Sequence, residues 1–464
     1  MSKFFIPKAP AIHQGINRRQ AMRLSALGAA AGTPFVASLA GIGHAAAQTA
    51  RDYKALVCVY FYGGNDDANT IIPSGGSEYA AYASGRGSLA LAQNTLLPIS
   101  PQSYNGVPLA FTPHLPRLRG LFEAGRCAVM ANVGTLNQPL SKAQWEAKSV
   151  STPFQLFSHS DQTGAWQTGL PDRASRTGWL GRMGDLIGPT MNDAGAISLA
   201  MSIAGQNAIQ VGQNIVQYQL TSRGPVRVNP LFGASNFTPE ASAALRTLMT
   251  QSRSHLFENT LAQTGTRAIE SEAKLGSILA AAPALTTAFP TTGLGAQAAM
   301  VAKLIAVNAA LGQRRQVFFI ASGGWDFHDN LLVEQQERLS EVDAAISSLY
   351  AATTELGLAN QVTTFTASEF GRALQSNGRG SDHGWGSHHF MVGGAVKGRR
   401  IYGAFPTIAL RGPDDAGQGR LIPTTSVDQY AATLATWFGA SPTDLGTILP
   451  NLGRFSGANL GFMS

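Results

Sequence analysis

The sequence predicts an α/β protein: a mainly parallel β-sheet sandwiched by helices. Three observations predict it. The stretches 54–62, 127–134, 316–321 and 362–368 are continuous apolar runs, without the alternation of a strand that has one wet face. Segments of helical periodicity separate several of them, as parallel strands joined by crossovers require. Three of the runs empty into glycine-rich loops carrying Asp, Glu or His, which is where such sheets place their chemistry.

Taken in order, the first 47 residues have the three parts of an export leader. Asn17-Arg18-Arg19-Gln20 sits in a basic segment, a weakly apolar Ala/Leu/Gly stretch runs from Leu24 to Ile42, and Ala45-Ala46-Ala47 offers a small-residue cleavage site. Paired arginines before a mild apolar stretch broken by Gly32, Pro34 and Gly41 predict twin-arginine export of a folded chain. The net charge of +7 has the same origin: Lys3, Lys8, Arg18, Arg19 and Arg23 precede Ala47 without one acid, and removing these five leaves +2. A nucleic-acid partner is therefore not expected, nor is a stable membrane span. At 464 residues, 44% hydrophobic and only 13% charged, with 51 glycines, the chain has ample core material and suits an exported, loop-rich protein. The expected organisation is the leader at 1–47 and one α/β domain over 48–464, with a helical insertion at about 236–290.

The run 54–62 ends at Gly63-Gly64-Asn65-Asp66-Asp67, either a turn or carboxylates presented at a strand end. The run 127–134 precedes Ser158-His159-Ser160-Asp161, a helix start in which Ser158 is either a cap or an activated nucleophile. A further helix is expected from Thr177, and short strands at 196–201 and 208–211. Thr238-Pro239-Glu240 is a helix start with a cap, a first-turn proline and an acid at the positive end of the dipole. Helices are expected over 296–311, 331–356 and 426–439. Cys58 and Cys127 lie inside apolar runs; a disulfide and two buried thiols are both open.

Asp326 and His328 follow the run 316–321. Glu369 and Arg372 follow the run 362–368, and Asp382, His383, His388 and His389 come next. Carboxylates and imidazoles gathered at one sheet edge repel and lose hydration unless a cation joins them. A donor set of His and Asp/Glu without thiolate suits zinc, manganese or iron. With Asp66 there are ligands for one or two divalent ions, and Arg372 would either grip an anionic substrate or pair with a carboxylate.

The motifs GGNDDANTIIP, FSHSDQTGAWQTG, GGWDFHDN, SEFGR, DHGWGSHHFMVGG and SVDQYAATLATWFG, in this order after a twin-arginine leader, resemble a bacterial family known as a domain of unknown function, grouped with the alkaline phosphatase and sulfatase superfamily. The resemblance implies an alkaline-phosphatase-like fold. It also implies an exported metal-dependent hydrolase of phosphate or sulfate esters, acting on a small anionic ester. It further implies Asp66, Asp326, His328, Glu369, Asp382, His383 and His388 as metal ligands, with His389 as a spare. Ser158 becomes the expected nucleophile, with Ser160 and Thr163 as rivals, and Arg372 its catalytic partner. The sulfatase Cys/Ser-x-Pro-x-Arg sequence is absent. The alternative is a non-catalytic envelope protein that binds a glycan or other ligand around a structural metal.

Overall fold

A computed structural model describes residues 52–464, apart from 195–196 and 233–235. The expected leader lies outside the described residues. The sheet strands are β1 (Lys54–Phe61), β2 (Cys127–Gly134), β3 (Ala200–Ser202), β4 (Tyr218–Thr221), β5 (Gly224–Pro225), β6 (Arg315–Ser322), β7 (Val362–Ser368) and β8 (Ser387–Gly393). Across the sheet the order is β2-β8-β7-β1-β6-β3-β4-β5, with Ile401–Tyr402 and Thr425–Ser426 added alongside β2. β7, β1, β6, β3 and β4 run parallel to one another, while β8 is antiparallel to both β7 and β2 and β5 is antiparallel to β4.

β1 shows why the sheet is central. Its register is Ala55 to Val362 on one side and Ala55 to Gln316 on the other, so both edges are paired. Ala55, Val57, Val59 and Phe61 enter one apolar core; Leu56, Cys58 and Tyr60 enter the other. A strand buried on both faces needs apolar residues at every position, which is why 54–61 lacks alternation.

The helices are α1 (Gly76–Arg86), α2 (His159–Thr168), α3 (Trp179–Met191), α4 (Pro239–Thr250), α5 (Leu256–Ala280), α6 (Gly293–Ala306), α7 (Leu331–Glu355) and α8 (Val427–Phe438). α7 buries Leu331, Leu339, Val342, Ile346 and Leu349 at helical spacing and covers the first core together with α6. α3 and α8 cover the second core. α8 begins with a capping box in which Ser426 and Gln429 satisfy each other's backbone N–H groups. α4 and α5 lie within 236–290, and Thr238 caps the first by accepting from the Ala241 N–H. Leu248, Leu256, Phe257 and Leu261 on this pair are exposed. Among the described residues no helix is long and apolar enough to cross a membrane.

One expectation is corrected: 208–211 is not a strand. The Gly178 N–H donates to the Val211 carbonyl and the Gly181 N–H to that of Ile209, so this segment's carbonyls serve the first turn of α3. Cys58 and Cys127 are both buried free thiols, on strands separated by β7 and β8.

Candidate metal centre at the sheet edge

The loops after β1, β6 and β7 meet at one edge, held by close backbone packing. Gly63 closes β1 with φ +124°, and a Cβ there would stand 2.3 Å from the Asp326 nitrogen and 2.6 Å from the Trp325 carbonyl carbon. Only glycine permits that approach. Trp325 stacks on Phe61 at 4.4 Å, which sets where Asp326 begins. The Gly63 N–H also donates to Glu369 Oε1 at 2.8 Å, tying β7 to the same corner.

Three imidazoles surround Asp326 Oδ1: His328 Nε2 at 3.0 Å, His383 Nε2 at 3.2 Å and His159 Nε2 at 3.3 Å. His328 Nε2 lies 2.9 Å from His383 Nε2. His159, Asp326 and His383 each offer one ligand atom, all within 4.8 Å of one another.

Hydrogen bonds behind the rings fix which nitrogens carry protons. His383 Nδ1 is 2.6 Å from the Phe157 carbonyl, which can only accept, so Nδ1 donates. His159 Nδ1 is 2.9 Å from Glu369 Oε1 and donates likewise. In the neutral rings both Nε2 atoms therefore present lone pairs to the oxygen of Asp326, an arrangement of acceptors facing acceptors. His159 Nε2 is buried without a hydrogen bond. Burial holds the His383 ring below the usual imidazole range, whereas the bond from Glu369 raises that of His159. Burial would raise Asp326, but Arg372 and the neighbouring histidines outweigh it and hold the carboxyl below its ordinary range. Acceptor atoms converging on one point, with the proton-bearing nitrogens turned outward, fit a divalent cation by donor chemistry.

A strained corner sets the geometry. Gln155 and Phe157 have φ +46° and +71°, values rare outside glycine and Asn/Asp, directly before Ser158 and α2. The Arg420 guanidinium lies 4.9 Å over the Phe157 ring, and its Nε donates to the His383 carbonyl at 2.7 Å. One corner thus positions both His159 and His383.

The remaining expected residues are placed as follows. Asp382 Oδ1 lies 3.4 Å from His328 Nδ1, at the mouth. Glu369 stands behind His159 and does not face the centre. Asp66 is fully buried and its carboxylate pairs with Arg86, so it is not brought to the cluster. His388 lies inside β8 rather than in a loop. Its Nδ1 accepts from the Asn132 N–H at 3.0 Å and its ring stacks on Phe405. His389 approaches Thr366 Oγ1 at 3.3 Å and stacks on Tyr430. Both are fully buried, and desolvation lowers each to about 3. Arg372 is sealed: Nε and Nη2 donate to the Ser381 carbonyl, and Nη1 to the Gly63 carbonyl and Asp326 Oδ1. It positions Asp326 and has no face toward a substrate. Ser158 is the N-cap of α2 without a side-chain cap bond; its hydroxyl donates to Asp161 Oδ2 at 2.6 Å, and Ser160 donates to the same oxygen at 3.3 Å. A groove of about 440 Å³ runs along α2 past Phe154, Asp161, Leu170 and Arg173, and includes none of the three converging residues.

His159 is the candidate ligand that sequence reasoning missed. Its signal was present: an imidazole at the helix start Ser158-His159-Ser160-Asp161.

Residues 53–431 match a family described as "Protein of unknown function (DUF1501)". None of the curated proteins matches the sequence. Among solved structures, Ps i-CgsB in complex with k-i-k-neocarrahexaose is 10% identical, with 88% of this chain and 77% of that chain covered and a TM-score of 0.34. The PsFucS1 sulfatase from Pseudoalteromonas sp. is 12% identical, with 86% and 76% covered and a TM-score of 0.32. The lipoteichoic acid synthase LtaP from Listeria monocytogenes is 6% identical, with 86% and 74% covered and a TM-score of 0.34.

Proposed function

The chain belongs to this family of proteins of unknown function, and we propose that it is a metal-dependent hydrolase of phosphate- or sulfate-ester type, its divalent cation held by His159, Asp326 and His383. The observation that carries the reading is the convergence of His159 Nε2 and His383 Nε2 on Asp326 Oδ1, with Nδ1 of each ring hydrogen-bonded to an acceptor behind it. Zinc or manganese bound there supplies Lewis acidity toward an ester oxygen.

The protein's own groups do the rest. Glu369 and the Phe157 carbonyl hold the two rings in the ligating tautomer. Arg372 keeps Asp326 ionised and aimed inward. Asp326 and His328 remain 46% and 44% exposed as side chains, an opening that suits substrate access better than a closed structural ion. Ser158 is the proposed nucleophile, since Asp161 Oδ2 already accepts its hydroxyl proton. We also propose twin-arginine export through residues 1–47, so that the ion is loaded before translocation. Retention of an Arg18→Lys/Arg19→Lys precursor in the cytoplasm tests this.

The experiment for the main reading pairs element analysis of the EDTA-stripped, zinc- or manganese-dialysed chain with turnover of p-nitrophenyl phosphate and sulfate. The expected result is bound ion and hydrolysis in wild type, both lost in His383→Ala, with hydrolysis alone lost in Ser158→Ala. No bound ion, or a His383→Ala variant indistinguishable from wild type, sinks it. One observation favours a second reading, a non-catalytic binding protein with a structural ion: Arg372, the expected grip for an anion, is sealed among carbonyls and Asp326. Ion binding without turnover of either ester selects that reading.

A further inference from the structure

We infer that the centre takes one divalent cation and that Arg86, a fixed internal cation, occupies the acidic position at the end of β1 that could otherwise hold a second. The inference rests on the proposed His159–Asp326–His383 centre. Asp66 and Asp67 are adjacent and almost completely buried. Two neighbouring carboxylates in such a place demand a positive partner. The chain supplies it.

Arg86 lies on the buried face of α1, one turn after Tyr82, and its side chain is fully buried. Its Nη2 pairs closely with Asp66 Oδ2, Nη1 donates to the carbonyls of Ala373 at 2.9 Å and Leu374 at 3.2 Å, and Nε donates to Asn69 Oδ1 at 3.3 Å. Tyr82 holds Asn69 Oδ1 from the other side at 2.7 Å. Backbone carbonyls and a braced amide fix the guanidinium, so it cannot swing away to admit an ion.

A second guanidinium stands between this acid pair and the imidazoles. Arg372 offers its main-chain N–H to Asp67 Oδ1 at 3.1 Å and its Nη1 to Asp326 Oδ1 at 3.1 Å. Asp66 Oδ1 has no hydrogen-bond partner, yet it lies in the field of both arginines. A cation approaching that atom meets two fixed positive charges at short range in a buried setting.

The test is a count. The mature chain is stripped with EDTA, dialysed against Zn²⁺ and examined by element analysis and native mass spectrometry, beside Asp66→Asn and Asp326→Asn. The inference expects one ion per wild-type chain. Asp66→Asn, which keeps an acceptor for Arg86, should hold its ion with Kd within about threefold, whereas losing the ligand in Asp326→Asn should weaken it by about 100-fold or more. Two ions per wild-type chain overturn this inference and leave the proposed function standing; no ion overturns both. A tenfold or greater loss of affinity in Asp66→Asn, with circular dichroism and melting like wild type, also overturns it. If Asp66→Asn does not fold, the wild-type count decides.

Discussion

Replacing His389 by Phe should remove close to half of the acid sensitivity that the buried imidazoles of β8 confer. His388 and His389 are fully buried and are held neutral, each lowered to about 3. Desolvation is the main cause, and the charge of His388 adds to it at His389. An unfolded histidine binds its proton near 6.5. Since the folded values are depressed, the unfolded chain takes up the protons first, so stability is fully present above 6.5 and is lost as pH falls toward 3. Between pH 7 and pH 4.5 each residue costs about 2.5 kcal/mol by this linkage, and the pair about 5 kcal/mol. Phe keeps the ring stack on Tyr430 and the edge contact with Trp166 while losing a buried Nε2 that has no partner. The assay is urea unfolding of the EDTA-treated chain at both pH values, wild type against variant, in which the opposite contribution of His159 cancels. The loss between the two pH values should shrink by about 2.5 kcal/mol in His389→Phe. Parallel losses in the two proteins would refute the reasoning.

Three further outcomes follow from the centre and its frame. Glu369→Gln should weaken divalent-ion affinity by about 10–100-fold in a chelator competition, because the carboxylate behind His159 Nδ1 sets that ring's tautomer. Zinc at about 100 times its Kd should stabilise the stripped wild-type chain by about 2.7 kcal/mol, and EDTA should reverse the rise in melting temperature; His383→Ala should show no rise. Gly63→Ala should cost about 3 kcal/mol or more in urea unfolding and weaken ion binding, since its Cβ collides with the Trp325–Asp326 backbone at a φ of +124°.

The strands that form the middle of the sheet were legible because burial on both faces writes an unbroken apolar run, and 54–61, 127–134 and 362–368 each carry one. Asp326 and His328 were legible for a related reason: polar groups just after such a run must emerge at the sheet edge, to which the antiparallel pair Arg372–Ser376 and Ser381–His383 returns His383. The mouth of the centre includes Asp382 as well. What local sequence could not supply was direction and distant pairing. His388 and His389 read as loop residues, but β8 returns antiparallel between β7 and β2 and carries them inside. Asp66 read as a metal ligand because its partner Arg86 stands 20 residues later, at the end of α1. For Arg372 substrate grip and carboxylate pairing both stayed open, because nothing local reveals that the Ser381 and Gly63 carbonyls will enclose it beside Asp326. The segment Ala208-Ile209-Gln210-Val211 reads as a strand, but its carbonyls are consumed by α3, a contact with no local signature.

The corner at Phe157 has a consequence for how the protein matures. His159, Asp326 and His383 belong to segments far apart in the chain, and the carbonyl that orients His383 lies on the residue two before His159. No hairpin or single crossover unit contains even two of the converging atoms together with their supports. A nascent or partly folded chain therefore has no pre-assembled chelate, and high-affinity capture of an ion should coincide with closure of the whole sheet. Ion uptake would then serve as a checkpoint on completed topology, distinguishing a finished molecule from one that has merely collapsed.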